Sequence, residues 1–107
     1  MHVNTKRALA GLALLLAGAA FARDVLIDVR TEQEFQSGHI EGAINLPHGT
    51  IAQSIALAHV NKDDHVQLYC RSGQRSGIAL ETLKGLGFGN AENYGSLAQA
   101  QKRLQKP

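Results

Sequence analysis

Apolar residues in this chain follow two patterns: short continuous runs, and longer segments in which they recur at helical spacing. Val25, Leu26 and Ile27 form a continuous run, as in a short strand buried on both faces of a parallel sheet. A second run ends at Pro47, which interrupts strand pairing. Strands are expected at 25–27, 43–46 and 66–69, with a last short strand at 91–93.

Polar segments with helical periodicity separate these runs. Thr31 and Glu34 have the spacing of a capping box, so a short helix is expected to begin there. Thr50 is the expected N-cap of the next helix, and a third is expected over 75–86 with Gly87 as its stop. A closing helix is marked by Leu97, Ala100 and Leu104. This alternation predicts a small α/β domain with a mainly parallel central sheet of about five short strands flanked by helices.

The first 22 residues have the pattern of a secretory signal peptide. Lys6 and Arg7 precede an uncharged apolar run over 8–20, which ends in the cleavage-site pattern Ala20-Phe21-Ala22 with small residues at 20 and 22. The run is shorter than the roughly 20 residues that cross a bilayer, and no cysteine for lipid attachment precedes Cys70. We therefore expect cleavage after residue 22, a single periplasmic domain over 23–107 and no stable membrane insertion after cleavage.

Charge argues against a nucleic-acid partner. The chain has 11 basic and 9 acidic residues, and two of the basic ones, Lys6 and Arg7, lie in the leader. The predicted mature chain is therefore balanced and carries no basic cluster of the kind that binds nucleic acid. No heptad pattern or large apolar stripe indicates an oligomeric state.

Cys70 is the only cysteine in the chain. A lone cysteine is most often a buried structural thiol, but an unpaired thiol is unusual in a small exported domain. The next five residues favour a reactive role, because four are polar or charged and costly to bury and one is a glycine that permits tight curvature. They are Arg71, Ser72, Gly73, Gln74 and Arg75.

The expected position of Cys70, between a parallel strand and a helix N-terminus, favours a thiolate. Unpaired amides and the positive end of the helix dipole stabilise negative charge there, and Arg71 and Arg75 add to this effect. If the amides of residues 71–75 point inward, they also form a cradle for an anion or for charge that develops during transfer. The sequence thus predicts a loop that activates a nucleophile and holds an anionic substrate.

Four motifs occur in a fixed order along the chain. They are Asp28-Val29-Arg30, Glu34-Phe35, GHIEGAINLP over 38–47 and CRSGQRS over 70–76. Together they resemble the rhodanese, or thiosulfate sulfurtransferase, domain, and they span nearly the whole chain after residue 22. A leader followed by one short domain is most similar to the single-domain periplasmic phage-shock protein E type. The resemblance implies a small rhodanese-like fold.

The resemblance also implies a reaction. The Cys70 thiolate would attack the sulfane sulfur of thiosulfate or a similar donor, release sulfite and become a persulfide, which passes its sulfur to cyanide or to a thiol or dithiol acceptor. Such covalent catalysis predicts ping-pong kinetics. Arg71 and Arg75 would attract the dianion, and the amides of 71–75 would hold the persulfide. No metal or organic cofactor is implied.

Two alternatives remain open at this point. The domain could be a persulfide carrier that binds sulfur from a partner and delivers it with little turnover. It could also be a small phosphatase or arsenate reductase, although four residues lie between Cys70 and Arg75 and phosphatase relatives place five there. The shorter loop favours sulfur over phosphorus.

The remaining motif residues are expected to have supporting roles. Asp28 and Arg30 are candidates for tying loops together near the site, and His39 is expected to bond to backbone in the GHI turn. The histidines show no short ligand spacing, which argues against a metal site. Ser96 departs from relatives that carry a second glycine there, so its effect on substrate preference and access is left open.

Overall fold

The computed structural model describes residues 21–107, so the predicted signal peptide lies outside the described residues except for its last two. Four strands and four helices alternate along this part of the chain, with a short 3-10 turn at His48–Thr50. The strands are β1 (Asp24–Asp28), β2 (Ile44–Asn45), β3 (His65–Cys70) and β4 (Ala91–Ser96). The helices are α1 (Glu32–Ser37), α2 (Ile51–Leu57), α3 (Gln74–Gly85) and α4 (Leu97–Leu104).

The sheet has the order β2-β1-β3-β4, and every neighbouring pair is parallel. The α/β class and the parallel sheet are confirmed, with four strands in the described residues where about five were expected. All four predicted runs overlap observed strands. Strand β3 is central and ends at Cys70, which lies opposite Ser96 of β4. The carboxyl ends of the strands therefore meet at one edge, where ligands of parallel sheets bind.

Side chains that alternate along β1 and β3 supply two separate cores. On one face, Ile27, Leu68 and Cys70 pack with side chains of α2 and α3, including Ile51 and Leu83. On the other face, a smaller cluster packs around α4 and consists of Leu26, Ile40, Tyr69, Tyr94 and Ala100. Burial on both faces explains why β1 contains a continuous apolar run, whereas β3 includes the buried polar residue Gln67.

The helix ends follow the expected local chemistry with one exception. The capping box of α1 is present, because the Glu34 amide donates to Thr31 Oγ1 at 3.2 Å and the Thr31 amide donates to Glu34 Oε1 at 3.1 Å. Thr50 precedes α2 as predicted, but its side chain caps no amide of the helix. Gly87 has a φ of +96° just beyond α3, as expected of a glycine that ends a helix.

Within residues 21–107, no helix is long and apolar enough to cross a membrane.

Candidate active site

Cys70 lies at the end of β3, where three residues turn the chain into α3. Gly73 makes this turn, with a φ of +94° that non-glycine residues rarely adopt. A side chain would also be crowded, because a Cβ on Gly73 would lie 3.3 Å from the Gly95 Cα atom. The turn is therefore tight enough to bring the first amides of α3 back toward the Cys70 side chain.

The Cys70 sulfur is enclosed by apolar packing on one side and by hydrogen-bond donors on the other. The residue is fully buried. The Gly73 amide donates to Sγ at 2.9 Å and the Ser76 amide donates at 3.4 Å. The Ser76 hydroxyl oxygen lies 3.4 Å from the same sulfur. This arrangement is a partial ring of donors around a single thiol.

Burial and these hydrogen-bond donors have opposite effects on the pKa of the Cys70 thiol. Burial raises the pKa, because it penalises the charged form. Hydrogen bonds from the hydroxyl and amide of Ser76 and from the amides of Ser72 and Gly73 outweigh burial, so the pKa lies below its ordinary value. These hydrogen bonds therefore favour the thiolate, which is the nucleophilic form of cysteine.

The two arginines of the loop differ in their surroundings. Arg75 forms a two-point ion pair with Glu34 of α1, with Nη1 to Oε1 at 2.7 Å and Nη2 to Oε2 at 3.0 Å. This pairing raises the pKa of Arg75 and lowers that of Glu34 to about 2. Arg71 is exposed, as are Ser72 and Gln74. The positive charge of Arg75 is therefore largely neutralised within the protein, whereas Arg71 presents its charge to solvent.

Sequence reasoning missed two residues that complete the site, Ser76 and Asn93. Ser76 is fully buried in the first turn of α3, and its hydroxyl donates to Asn93 Oδ1 at 2.7 Å. Asn93 reaches the loop from β4 and donates to the Gly73 carbonyl at 3.0 Å. The position of Ser76 next to Arg75 in the quoted motif was a usable signal for its role. Nothing local in the sequence indicated Asn93, which reaches the site through strand pairing.

Asp28 and Arg30 lie at the end of β1 and organise the loops beside the site. The Arg30 Nη2 atom contacts the buried Asp28 carboxylate at 2.6 Å and the Gly38 carbonyl at 2.7 Å. The Asn45 amide group donates to the carbonyls of both Asp28 and Arg30 at 3.0 Å. These bonds tie β1 to the turn after α1 and to β2, so both side chains are engaged in structural contacts.

Ser96 and His39 also have local partners. The Ser96 hydroxyl accepts a hydrogen bond from the Gln99 backbone amide at 3.1 Å. The Gln99 side-chain oxygen in turn accepts a hydrogen bond from the Ser96 backbone amide at 2.9 Å, which completes a capping box. The hydroxyl therefore caps α4. His39 bonds to the Phe35 carbonyl at 2.8 Å and stacks on the Phe35 ring. No group of metal-ligating side chains occurs in residues 21–107.

The chain is similar to known proteins over most of its length. The profile of the rhodanese-like domain family matches residues 12–101. The thiosulfate sulfurtransferase PspE of Escherichia coli is 40% identical over 92 residues, which cover 86% of this chain and 88% of that protein. A putative mitochondrial thiosulfate sulfurtransferase of Schizosaccharomyces pombe is 42% identical over 65% of this chain and 57% of its own length.

A solved structure supports the same relationship. The structure described as a rhodanese with anions from E. coli has a TM-score of 0.68 and 39% identity, and the match covers 71% of this chain and 89% of that one. The parallel sheet, the loop after β3 and these matches all indicate the same family. The chain belongs to the rhodanese-like domain family.

Proposed function

We propose that this protein is a thiosulfate sulfurtransferase in which Cys70 is the nucleophile. The observation that carries the proposal is the ring of donors around Cys70 Sγ, which lowers the thiol pKa despite full burial. The names of the relatives from E. coli and S. pombe support the choice of thiosulfate as the sulfur donor. The four residues between Cys70 and Arg75 argue against the wider cradle of a phosphatase.

In the first half-reaction, the Cys70 thiolate attacks the outer sulfur of thiosulfate. A Cys70–sulfur bond forms, and the bond between the two sulfurs of thiosulfate breaks, with its electron pair leaving on sulfite. The outer sulfur remains as a persulfide, whose negative charge is stabilised by amides at the N-terminus of α3. In the second half-reaction, cyanide or a thiolate attacks that sulfur and Cys70 departs as the thiolate. The donors to Sγ stabilise this leaving group too.

The charges around the loop refine the expected roles of the arginines. Since Arg75 is paired with Glu34, its role in the proposal is to fix α1 against the first turn of α3 rather than to bind the dianion alone. Arg71 is the exposed cation next to the nucleophile. We assign the attraction of thiosulfate mainly to Arg71, together with the positive end of the α3 dipole.

A test needs purified protein, thiosulfate and cyanide. We expect thiocyanate to form with repeated turnover, and Cys70→Ser to form none. Replacement of Asn90, an exposed residue of the turn before β4, by alanine is a matched control for handling and should leave the rate unchanged. If no Cys70-dependent thiocyanate formed, the protein would not be a thiosulfate sulfurtransferase. A stable persulfide without turnover would instead identify a carrier of sulfur.

We also propose that the protein is exported to the periplasm after cleavage following Ala22. The support is the charged, then apolar, then small-residue pattern of residues 1–22. Expression of the full chain in a bacterium, followed by N-terminal sequencing of the periplasmic fraction, should give a chain that begins at Arg23. Recovery of the intact chain in the cytoplasm alone would contradict export.

A further inference from the structure

Asn93 of β4 makes three hydrogen bonds, two of which reach the loop and helix that surround the nucleophile. Its Oδ1 atom accepts from the Ser76 hydroxyl at 2.7 Å and from the Gly95 amide at 2.9 Å. Its Nδ2 atom donates to the Gly73 carbonyl at 3.0 Å. Asn93 therefore contacts Gly73 and Ser76, whose amides donate to Cys70, although it does not touch the sulfur by any of these bonds.

Two backbone groups fix the orientation of the Asn93 carboxamide. The Gly95 amide can only donate and the Gly73 carbonyl can only accept. A flipped carboxamide would place two donors together at Gly95 and two acceptors together at Gly73, so the oxygen must face Gly95. The same oxygen faces Ser76. The Ser76 hydroxyl thus meets a fixed acceptor.

The Ser76 hydroxyl has one proton and two candidate acceptors. Its oxygen lies 2.7 Å from Asn93 Oδ1 and 3.4 Å from Cys70 Sγ. While Cys70 is a neutral thiol, the hydroxyl donates to Asn93 and the thiol can donate to the hydroxyl oxygen. Once Cys70 has lost its proton, the sulfur is a charged acceptor and draws the hydroxyl proton to itself. Asn93 then keeps the Gly95 amide as a donor.

We propose that Asn93 is a positioning residue for the nucleophile, because its carboxamide competes with Cys70 for the single proton of Ser76. This assignment rests on the proposed function, since it matters to the reaction only if Cys70 is the nucleophile. Asn93 stabilises the thiol state, in which Ser76 donates to it. The thiolate forms at the expense of that hydrogen bond, so Asn93 sets how readily Cys70 ionises.

A competing role for Asn93 gives the opposite sign. If Asn93 served only to hold the Gly73 carbonyl, its removal would loosen the ring of donors and raise the pKa of Cys70. Arg75 of α3 interacts electrostatically with Cys70 and is paired with Glu34 of α1, and none of the variants used below replaces Arg71, Arg75 or Glu34. The sign of the change therefore separates competition for a proton from anchoring of the loop.

The experiment measures the ionisation of Cys70 by the ultraviolet absorbance of its thiolate as a function of pH. Cys70 is the only cysteine, so the signal belongs to one residue, and Cys70→Ser supplies the blank. We expect Asn93→Ala to lower the midpoint by roughly half a unit to one unit, the equivalent of one neutral hydrogen bond. Asn90→Ala, which removes the same side chain from an exposed turn, should leave the midpoint unchanged.

A second background tests whether the effect passes through Ser76. In Ser76→Ala, the proton that Asn93 competes for is gone, so adding Asn93→Ala should move the midpoint little. An upward shift in the single variant, no shift, or the same shift in both backgrounds would overturn the assignment. If the double variant does not fold, the sign in the single variant still decides.

The titration uses no substrate and is independent of the transfer reaction. A wild-type protein that makes no thiocyanate but shows the expected shifts would refute the proposed function and leave the role of Asn93 standing. Normal thiocyanate turnover without the expected pKa shifts would refute the role of Asn93 and leave the proposed function standing.

Discussion

Gly73 is the residue whose replacement tests the ring of donors most sharply. Its amide makes the shortest hydrogen bond to Cys70, at 2.9 Å, and its φ of +94° lies in the left-handed region. Gly73→Ala adds a Cβ that would lie 3.3 Å from the Gly95 Cα atom. The Gly95 Cα is a backbone atom and the position of a Cβ is fixed by its own backbone, so the contact cannot be relieved by rotating a side chain. The loop itself must move.

The expected magnitudes follow from this geometry. A non-glycine residue in the left-handed region costs roughly 1–2 kcal/mol, which for a domain of this size lowers the Tm by roughly 5–15 °C. Displacing the Gly73 amide also removes a hydrogen bond to a charged acceptor, a loss of about 1.5–3 kcal/mol. The midpoint of Cys70 ionisation should therefore rise by roughly one to two pH units.

Thermal unfolding and thiolate absorbance measure the two effects separately. Gly85→Ala is the matched control, because a Cβ there meets nothing within 4 Å and the residue lies in the last turn of α3. The control should retain the wild-type midpoint and be as stable or slightly more stable. A Gly73→Ala protein with an unchanged Cys70 midpoint would show that the donor ring does not govern ionisation.

Three further predictions address charged residues. The hydrogen bond to Glu92 raises the pKa of His65, so the stabilising contribution of His65 is complete below pH 6.5 and is lost as the pH rises through the raised pKa. The free energy of urea unfolding of His65→Gln should therefore differ most from that of the wild type in acid. Glu34→Gln should lower the free energy of unfolding at neutral pH by about 1 kcal/mol, since the pair is partly exposed, and the difference should vanish as the pH falls from 4.5 through about 2. Arg71→Gln should raise the KM for thiosulfate by roughly five-fold at low salt with an unchanged Tm. Equal KM values for the variant and the wild type at low salt would contradict the role of Arg71 in attracting thiosulfate.

Local chemistry explains why much of the fold is predictable from the sequence. The capping box of Thr31 and Glu34 depends on residues three apart, and β1 depends on a continuous apolar run, so neither requires knowledge of the tertiary structure. The position of Cys70 follows from the same logic, because a strand followed by a glycine-bearing loop and a helix places it at the sheet edge. The expected fifth strand was an estimate of sheet size that no particular segment supported.

Tertiary contacts explain what could not be predicted. Glu34 was expected to cap α1, and it does, but it also pairs with Arg75, which lies 41 residues away in the sequence. Asn93 meets Ser76 only because β4 pairs with β3 and α3 packs against both. Ser96 shows the converse, since its apparent departure from the family motif is explained by capping of its own helix.

A measurement of intact mass shows whether Cys70 accepts sulfur from thiosulfate, the step on which the proposed function depends. Purified protein that is treated with thiosulfate and freed of excess reagent should gain the mass of one sulfur atom per chain and release an equal amount of sulfite. Cyanide should then remove the added mass, and Cys70→Ser should never gain it. A wild-type protein that releases no sulfite and gains no mass, or a serine variant that gains it as readily, would contradict the account.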